Sequence, residues 1–315
     1  MAMLPSHCVR GVCVMSRWQM IAWCFAYSWM SISTVWGQLG TRPVIDGTAT
    51  VKALKPVSSR PVSELPNELM QQSGNPLLPA LDLAREHLAY IRGGIRDYRC
   101  QLVKQERIEG RLLPHEVIEV KCRHRQEVGT ELQVPFSLYM KWLTPGELRD
   151  REALFVEDRF RGDILIRKGG TRNPFLNLWV EPESSMAMRE NRYPITEFGF
   201  DNLLVRLLEV GEEELQYDDC QVKYIHHAKL DGRDCFGIEV RHDQYRDYFR
   251  FHIARIFIDR EMRIPVHFEA MGWPTSPGGE PVLMERYRYR DIDLNVGFAD
   301  EDFDRLNPEY GFRKD

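Results

Sequence analysis

From residue 97 onward the sequence abandons helical spacing for a period of two, and that change limits the fold more than any other feature. Phe136, Leu138, Met140 and Trp142 alternate with Ser137, Tyr139 and Lys141, the pattern of a strand with one face buried and one in water. Tyr98, Cys100 and Leu102 form a second such face. Ile118, Val120, Cys122 and His124 form a third, with Gly110 in the turn between. Residues 153–157, 164–168, 221–229, 235–242, 249–258, 263–271 and 283–294 read as further strands. Asp231-Gly232 is a two-residue hairpin signal, and it pairs residue 235 with 228.

Helical spacing occurs twice. Leu81, Ala84, Leu88 and Ile91 share one face and Gly93-Gly94 ends the run. Leu203, Leu204, Leu207 and Leu208 make a second stripe, with Asp201 or Thr196 available as its cap. Residues 171–191 hold Gly, Pro and Met in no consistent period. A capped helical turn is expected near 299–303. With about nine or ten strands and no strand–helix–strand alternation, an antiparallel rather than a parallel sheet is expected. A long antiparallel meander curls. The expected fold is α+β: a strongly curved antiparallel sheet, an incomplete β-barrel, with the helices near 80–92 and 201–210 covering its concave face.

The N-terminus sets the compartment. Arg10 and Arg17 precede an apolar run from Met20 to Trp36, followed by Gly37 and Gln38, which is the secretory signal pattern. Residues 1–37 therefore read as a signal peptide cleaved near Gly37, with Met15 an alternative start. An uncleaved anchor is the other reading, although the run is short of the roughly 20 apolar residues of a spanning helix and carries four hydroxyl residues. Residues 38–76 lack aromatics up to about Asn75 and repeat Pro among Ser, Thr, Gly and Gln. Such composition cannot offset its ordering entropy and reads as a disordered linker. Residues 77–312 then form one domain. Without the leader, 40 basic residues face 47 acidic ones, because only Arg10 and Arg17 of the 42 are lost. A net charge of −7 argues against nucleic acid as a partner and against tight binding to anionic headgroups.

Motifs for chemistry are sparse. No His-x-x-x-His helix, Cys-x-x-Cys pair or Gly-x-Ser-x-Gly elbow is present, so no catalytic residue, metal ligand or cofactor site is assigned. His226 and His227 are adjacent on a strand and point to opposite faces. Two carboxylates meeting across strands would be invisible to this reading. If the first hairpin turns about residue 111, Cys100 and Cys122 are directly opposed and within bridging range, so a Cys100–Cys122 disulfide is expected, with two free buried thiols as the alternative. One apolar set remains: Leu138, Met140 and Trp142 with Phe251, Ile253, Val266 and Phe268. It reads either as ordinary core beneath the helices or as an adaptable groove for acyl chains, where Met and aromatic residues suit variable ligands.

The stretches Tyr98-Arg-Cys-Gln-Leu-Val-Lys-Gln-Glu-Arg107, Asn191-Arg-Tyr-Pro-Ile-Thr196 and Phe249-Arg-Phe-His-Ile-Ala-Arg-Ile-Phe-Ile-Asp259, with residues 136–142 and 289–297, resemble the bacterial family catalogued as domain of unknown function 1571. More distantly, Ile264-Pro265 after the Asp259 turn and the acidic segment after the last strand are similar to periplasmic lipoprotein carriers and receptors of the LolA/LolB type. That resemblance implies a half-open barrel holding lipid, an acyl chain or a lipoprotein. The function expected is thus an exported, non-catalytic binding protein, periplasmic or in the cell envelope. The alternative is a cell-envelope structural protein that docks a protein partner and has a fully packed core.

Overall fold

The computed structural model describes residues 74–217 and 219–312; the expected leader and nearly all of the expected linker lie outside the described residues. Helix α1 (Leu78–Gly94) has Pro79 in its first turn, where a missing N–H is harmless, and buries Leu81, Leu83, His87 and Ile91. Asn75, just ahead of it, donates to Leu215 O (3.1 Å) and accepts from Leu77 N (2.9 Å).

The first half of the sheet comprises β1 (Asp97–Ile108), β2 (Arg111–Leu112), β3 (Glu116–Arg123), β6 (Ser137–Thr144), β7 (Glu152–Val156), β8 (Ile164–Arg167) and β9 (Asn177–Val180). A small separate hairpin, β4 (Gln126–Val128) and β5 (Glu131–Val134), branches off between β3 and β6. After a one-turn helix, α2 (Ser185–Met188), comes α3 (Phe200–Glu214). The second half is β10 (Gln221–Leu230), β11 (Arg233–Arg241), β12 (Ile253–Asp259), β13 (Pro265–Gly272) and β14 (Val282–Leu294). Every pairing is antiparallel. β1 joins the halves by lying between β14 and β3, so the order runs from β10 at one edge to β9 at the other. The two edges do not pair, and the expected incomplete barrel is what forms.

The inner face carries the main core. Tyr98, Cys100, Leu102, Val120, Leu138 and Phe155 belong to it, and Ile91 of α1 with Phe200, Leu203 and Leu204 of α3 pack upon it. The outer face of β6–β8 is covered as well, by the C-terminal segment: Tyr139 stacks on Tyr310 at 3.8 Å, and Phe303 and Phe312 pack beside Leu154 and Leu165. Farther along the outer face a charge ladder follows the register. Glu239, Arg255, Glu269 and Arg286 lie in successive strands, with contacts of 2.5, 3.0 and 3.0 Å between neighbours.

Three expectations need correction. Cys100 and Cys122 are free, buried thiols. The first turn is Glu109-Gly110, both left-handed (φ 49° and 80°) and joining Ile108 to Arg111, so its centre falls earlier than residue 111. Cys122 consequently opposes Tyr98, and Cys100 opposes Val120. Thiols one pair out of step on the same face are diagonal neighbours, beyond bridging range. Neither Asp201 nor Thr196 caps α3: its N-cap is Gly199 at φ 135°, with no side-chain bond. The stretch 171–191 is not featureless, since β9 and α2 lie in it. By contrast, the Asp231-Gly232 turn sets Ala228 opposite Cys235 as the spacing requires.

Candidate functional site

Two cavities open between the inner face and its cover, one on each side of α3. The larger, about 190 Å3, is walled by Leu102, Ile118, Met140, Trp142 and Ala153 from β1, β3, β6 and β7. Met186 and Met188 of α2, Ile195 and Phe198 roof it, with Leu203 and Arg206 of α3. The smaller, about 80 Å3, lies between α1, α3 and the inner face of β11–β13; Leu81, Leu204, Leu207, Ile238, Phe251 and Phe268 line it. Leu203 faces the first cavity while Leu204 and Leu207 face the second. Helix α3 is therefore the partition between them.

The expected apolar set divides along the same line. Met140 and Trp142 wall the larger cavity, and Phe251 and Phe268 the smaller. Leu138 is buried in the main core and lines neither. Val266 is also core and borders an open, charged groove that includes Arg288 and Asp231. Ile253 is on the wrong face. It opposes Met271, whereas the next residue, Ala254, opposes Ala270 and lines the smaller cavity. The cause is a bend at His252, immediately before β12, which breaks the alternation counted from Phe251.

Sequence reasoning missed the polar end of the larger cavity. Lys104, Glu106, Glu116 and Glu285 are all buried. Lys104 Nζ donates to Asn191 Oδ1 (2.6 Å) and lies 3.5 Å from Glu106 and 3.8 Å from Glu116. Trp142 Nε1 donates to Glu116 Oε2 (2.6 Å). Arg192 donates its backbone N–H to Glu106 Oε2 (3.1 Å), and its side chain stands 3.5 Å from Glu285. Tyr193 donates to Glu285 Oε1 (3.0 Å). The signal was parity: Lys104 and Glu106 continue the face of Leu102, and Glu285 precedes Tyr287 by two.

Tyr287 joins the two carboxylates. Its hydroxyl has one proton and two carboxylates, Glu106 Oε1 at 2.5 Å and Glu285 Oε2 at 3.0 Å. Burial raises the Glu285 pKa against the opposing pull of Arg192. Lys104 faces Glu106 and Glu116, and Arg192 faces Glu285, so the buried charges are paired. Burial likewise pushes Tyr193 up to about 12. The cavity thus combines an oily wall with one hydrogen-bonding end, a lining that suits an amphiphile. Among the described residues, no group of three or more His, Cys, Asp or Glu side chains is placed to hold a metal ion. No described helix is long and apolar enough to cross a membrane.

No curated protein matches the sequence. Solved structures similar to it include a DUF1329 family protein from Desulfovibrio piger, 12% identical, covering 73% of this chain and 98% of that one with a TM-score of 0.36. A LolA superfamily protein from Nitrosomonas europaea is 9% identical, covering 71% and 97% with a TM-score of 0.29. The Mycobacterium tuberculosis lipoprotein LppX is 11% identical, covering 70% and 98% with a TM-score of 0.36. A family model described as "Protein of unknown function (DUF1571)" matches residues 95–312, from the entry of β1 to the last described residue. By that match over well more than half of its length, the chain belongs to the DUF1571 family.

Proposed function

We propose that this is an exported, non-catalytic binding protein that holds an acyl chain, of a lipid or a lipoprotein, against the inner face of its open sheet. The observation that carries this reading is the pair of largely apolar cavities on either side of α3. The larger is comparable to an engineered apolar cavity of about 150 Å3 that admits benzene. It is smaller than the roughly 300 Å3 at which drug-sized sites begin. As they stand, the cavities accept a ring or a short stretch of chain. Displacing α3 would uncover the inner face on both of its sides, from Trp142 to Phe268, to a longer chain. The leader at 1–37 supports export, and the acidic balance supports the absence of a nucleic-acid role.

Native mass spectrometry of the purified protein tests the reading together with displacement of a fluorescent fatty acid. Bound lipid, and probe binding weakened about tenfold or more by Met140→Asp or Phe268→Asp, are the expected results. A chain that carries no lipid and never binds the probe would instead be an envelope structural protein whose interior is simply packed.

A further inference from the structure

The free edge of the sheet at β9 carries large apolar side chains in water. Phe175, Leu176 and Trp179 are 62%, 42% and 45% exposed, and Met186 just beyond is 56% exposed. Singly, such residues need no explanation; grouped on one short strand and its turn, they do. Trp179 opposes Leu165 while Leu178 opposes Ile166, so the edge presents apolar groups on both of its faces. Met186 also belongs to the roof of the larger cavity, which places the patch beside that cavity.

The charge around the patch departs from that of the chain. The whole sequence has a net charge of −5, yet residues 167–189 hold four basic residues, Arg167, Lys168, Arg172 and Arg189, against Glu181 and Glu183. No acid lies between Arg167 and Val180. Arg167 is committed to Glu152 (3.6 Å) and to Asp150 O (2.9 Å), with its guanidinium over Phe175 at 5.7 Å. Thr171, Arg172 and Asn173 at the turn are exposed. Basic side chains bracketing exposed Phe, Leu and Trp match the headgroup zone of an anionic bilayer, where phosphates take the cations and ring-sized groups enter the acyl boundary.

We propose that the β8–β9 turn and the β9 edge form a docking surface for an anionic lipid bilayer. Phe175, Leu176 and Trp179 enter the interface, while Lys168 and Arg172 meet the phosphates. This goes beyond the cavity reading and does not depend on it, because docking can be measured whether or not any chain is bound inside.

The test is flotation of the full chain with vesicles of mixed phosphatidylcholine and phosphatidylglycerol, beside vesicles of phosphatidylcholine alone. Hydrogen exchange is followed on the same samples, since the apolar leader could itself hold the chain on vesicles. Phe175→Asp with Trp179→Asp, and separately Lys168→Glu with Arg172→Glu, should each reduce binding to the mixed vesicles about tenfold. Val128→Asp, an exposed apolar position on the separate hairpin, should change nothing. Amides of residues 171–179 should exchange more slowly on mixed vesicles. Unchanged exchange there, or slowing that persists in both double variants, overturns the proposal. So does a dimer in sedimentation velocity that the Phe175 variant abolishes without altering flotation, because the edge would then serve a second copy of the chain.

Discussion

Gly211 of α3 meets Leu81 of α1 so closely that a Cβ at position 211 would stand 2.6 Å from Leu81 Cδ2. The missing side chain lets the two covering helices touch, and Arg85 to Glu212 (2.8 Å) closes the same seam at the surface. Leu81 is buried and cannot swing into water. Gly211→Val should therefore cost about 1–3 kcal/mol through overpacking, although valine is the better helix former by a few tenths. Leu81→Ala alone should cost about 2–5 kcal/mol. The double variant should cost less than the sum by about 1 kcal/mol, since shortening Leu81 makes room for the valine. Urea midpoints of the four proteins measure this, and strict additivity would remove Leu81 as the obstacle.

The raised pKa of Glu285 gives a pH dependence. Its carboxyl pKa is raised in the folded protein by burial, so the stability linked to its proton is present below the unfolded value. That stability is lost as pH rises through the folded value. Glu285→Gln keeps a neutral, donating group at all pH. The substitution should therefore be most favourable relative to wild type at pH 8 and least favourable near pH 4. Glu106→Gln removes the nearer of the two carboxylates facing the buried Lys104 and should destabilise by about 3 kcal/mol. Thermal midpoints across that pH range decide the matter; a Glu285→Gln protein that stays level or loses ground as pH rises would mean that folding does not raise the Glu285 pKa.

On the outer face the sign reverses. Hydrogen bonding from His267, with Arg255 and Arg286 helping against burial, lowers the Glu269 carboxyl to about 2. A depressed carboxylate contributes stability above its unfolded value, near 4, and loses it as pH falls through the folded value. Both arginines are partly exposed, so screening limits the contribution to about 2 kcal/mol at neutral pH. Glu269→Gln should show that deficit at pH 7 and converge with wild type as pH approaches 2.

The elements with one buried face were legible in the sequence, since period and burial there coincide. α1 follows from Leu81, Ala84, Leu88 and Ile91, and β6 from Leu138, Met140 and Trp142, the latter two at the wall of the larger cavity. The roof was not legible. β9 is an edge strand with most of its side chains at least partly exposed, so burial imposes no alternation on it, and α2 is a single turn too short to show a period. The polar end was missed for a different reason. Lys104, Glu106 and Glu285 occupy inward positions where an apolar residue is the default, and contacts with Glu116 and Tyr287 and from Asn191, Arg192 and Tyr193, most of them far along the chain, make burial tolerable.

The register of β1 on β3 yields the last prediction. Cys122 faces Tyr98 and Cys100 faces Val120, which separates the two sulfurs even in an oxidising compartment. Burial raises the pKa of both thiols, and the thiolate is the form that attacks either an alkylating agent or a disulfide. In the folded protein Cys100 and Cys122 should therefore resist iodoacetamide at pH 8, and both should be alkylated in urea without prior reduction. A bridge closing that loop would contribute about 3 kcal/mol and raise the melting midpoint by roughly 6–12 °C. Adding reductant should instead leave the melting midpoint attributable to this pair unchanged. A cross-linked peptide joining residues 100 and 122 in a non-reduced digest would mean that β3 is displaced by two residues along β1, carrying Glu116 away from Lys104 and undoing the polar end of the cavity.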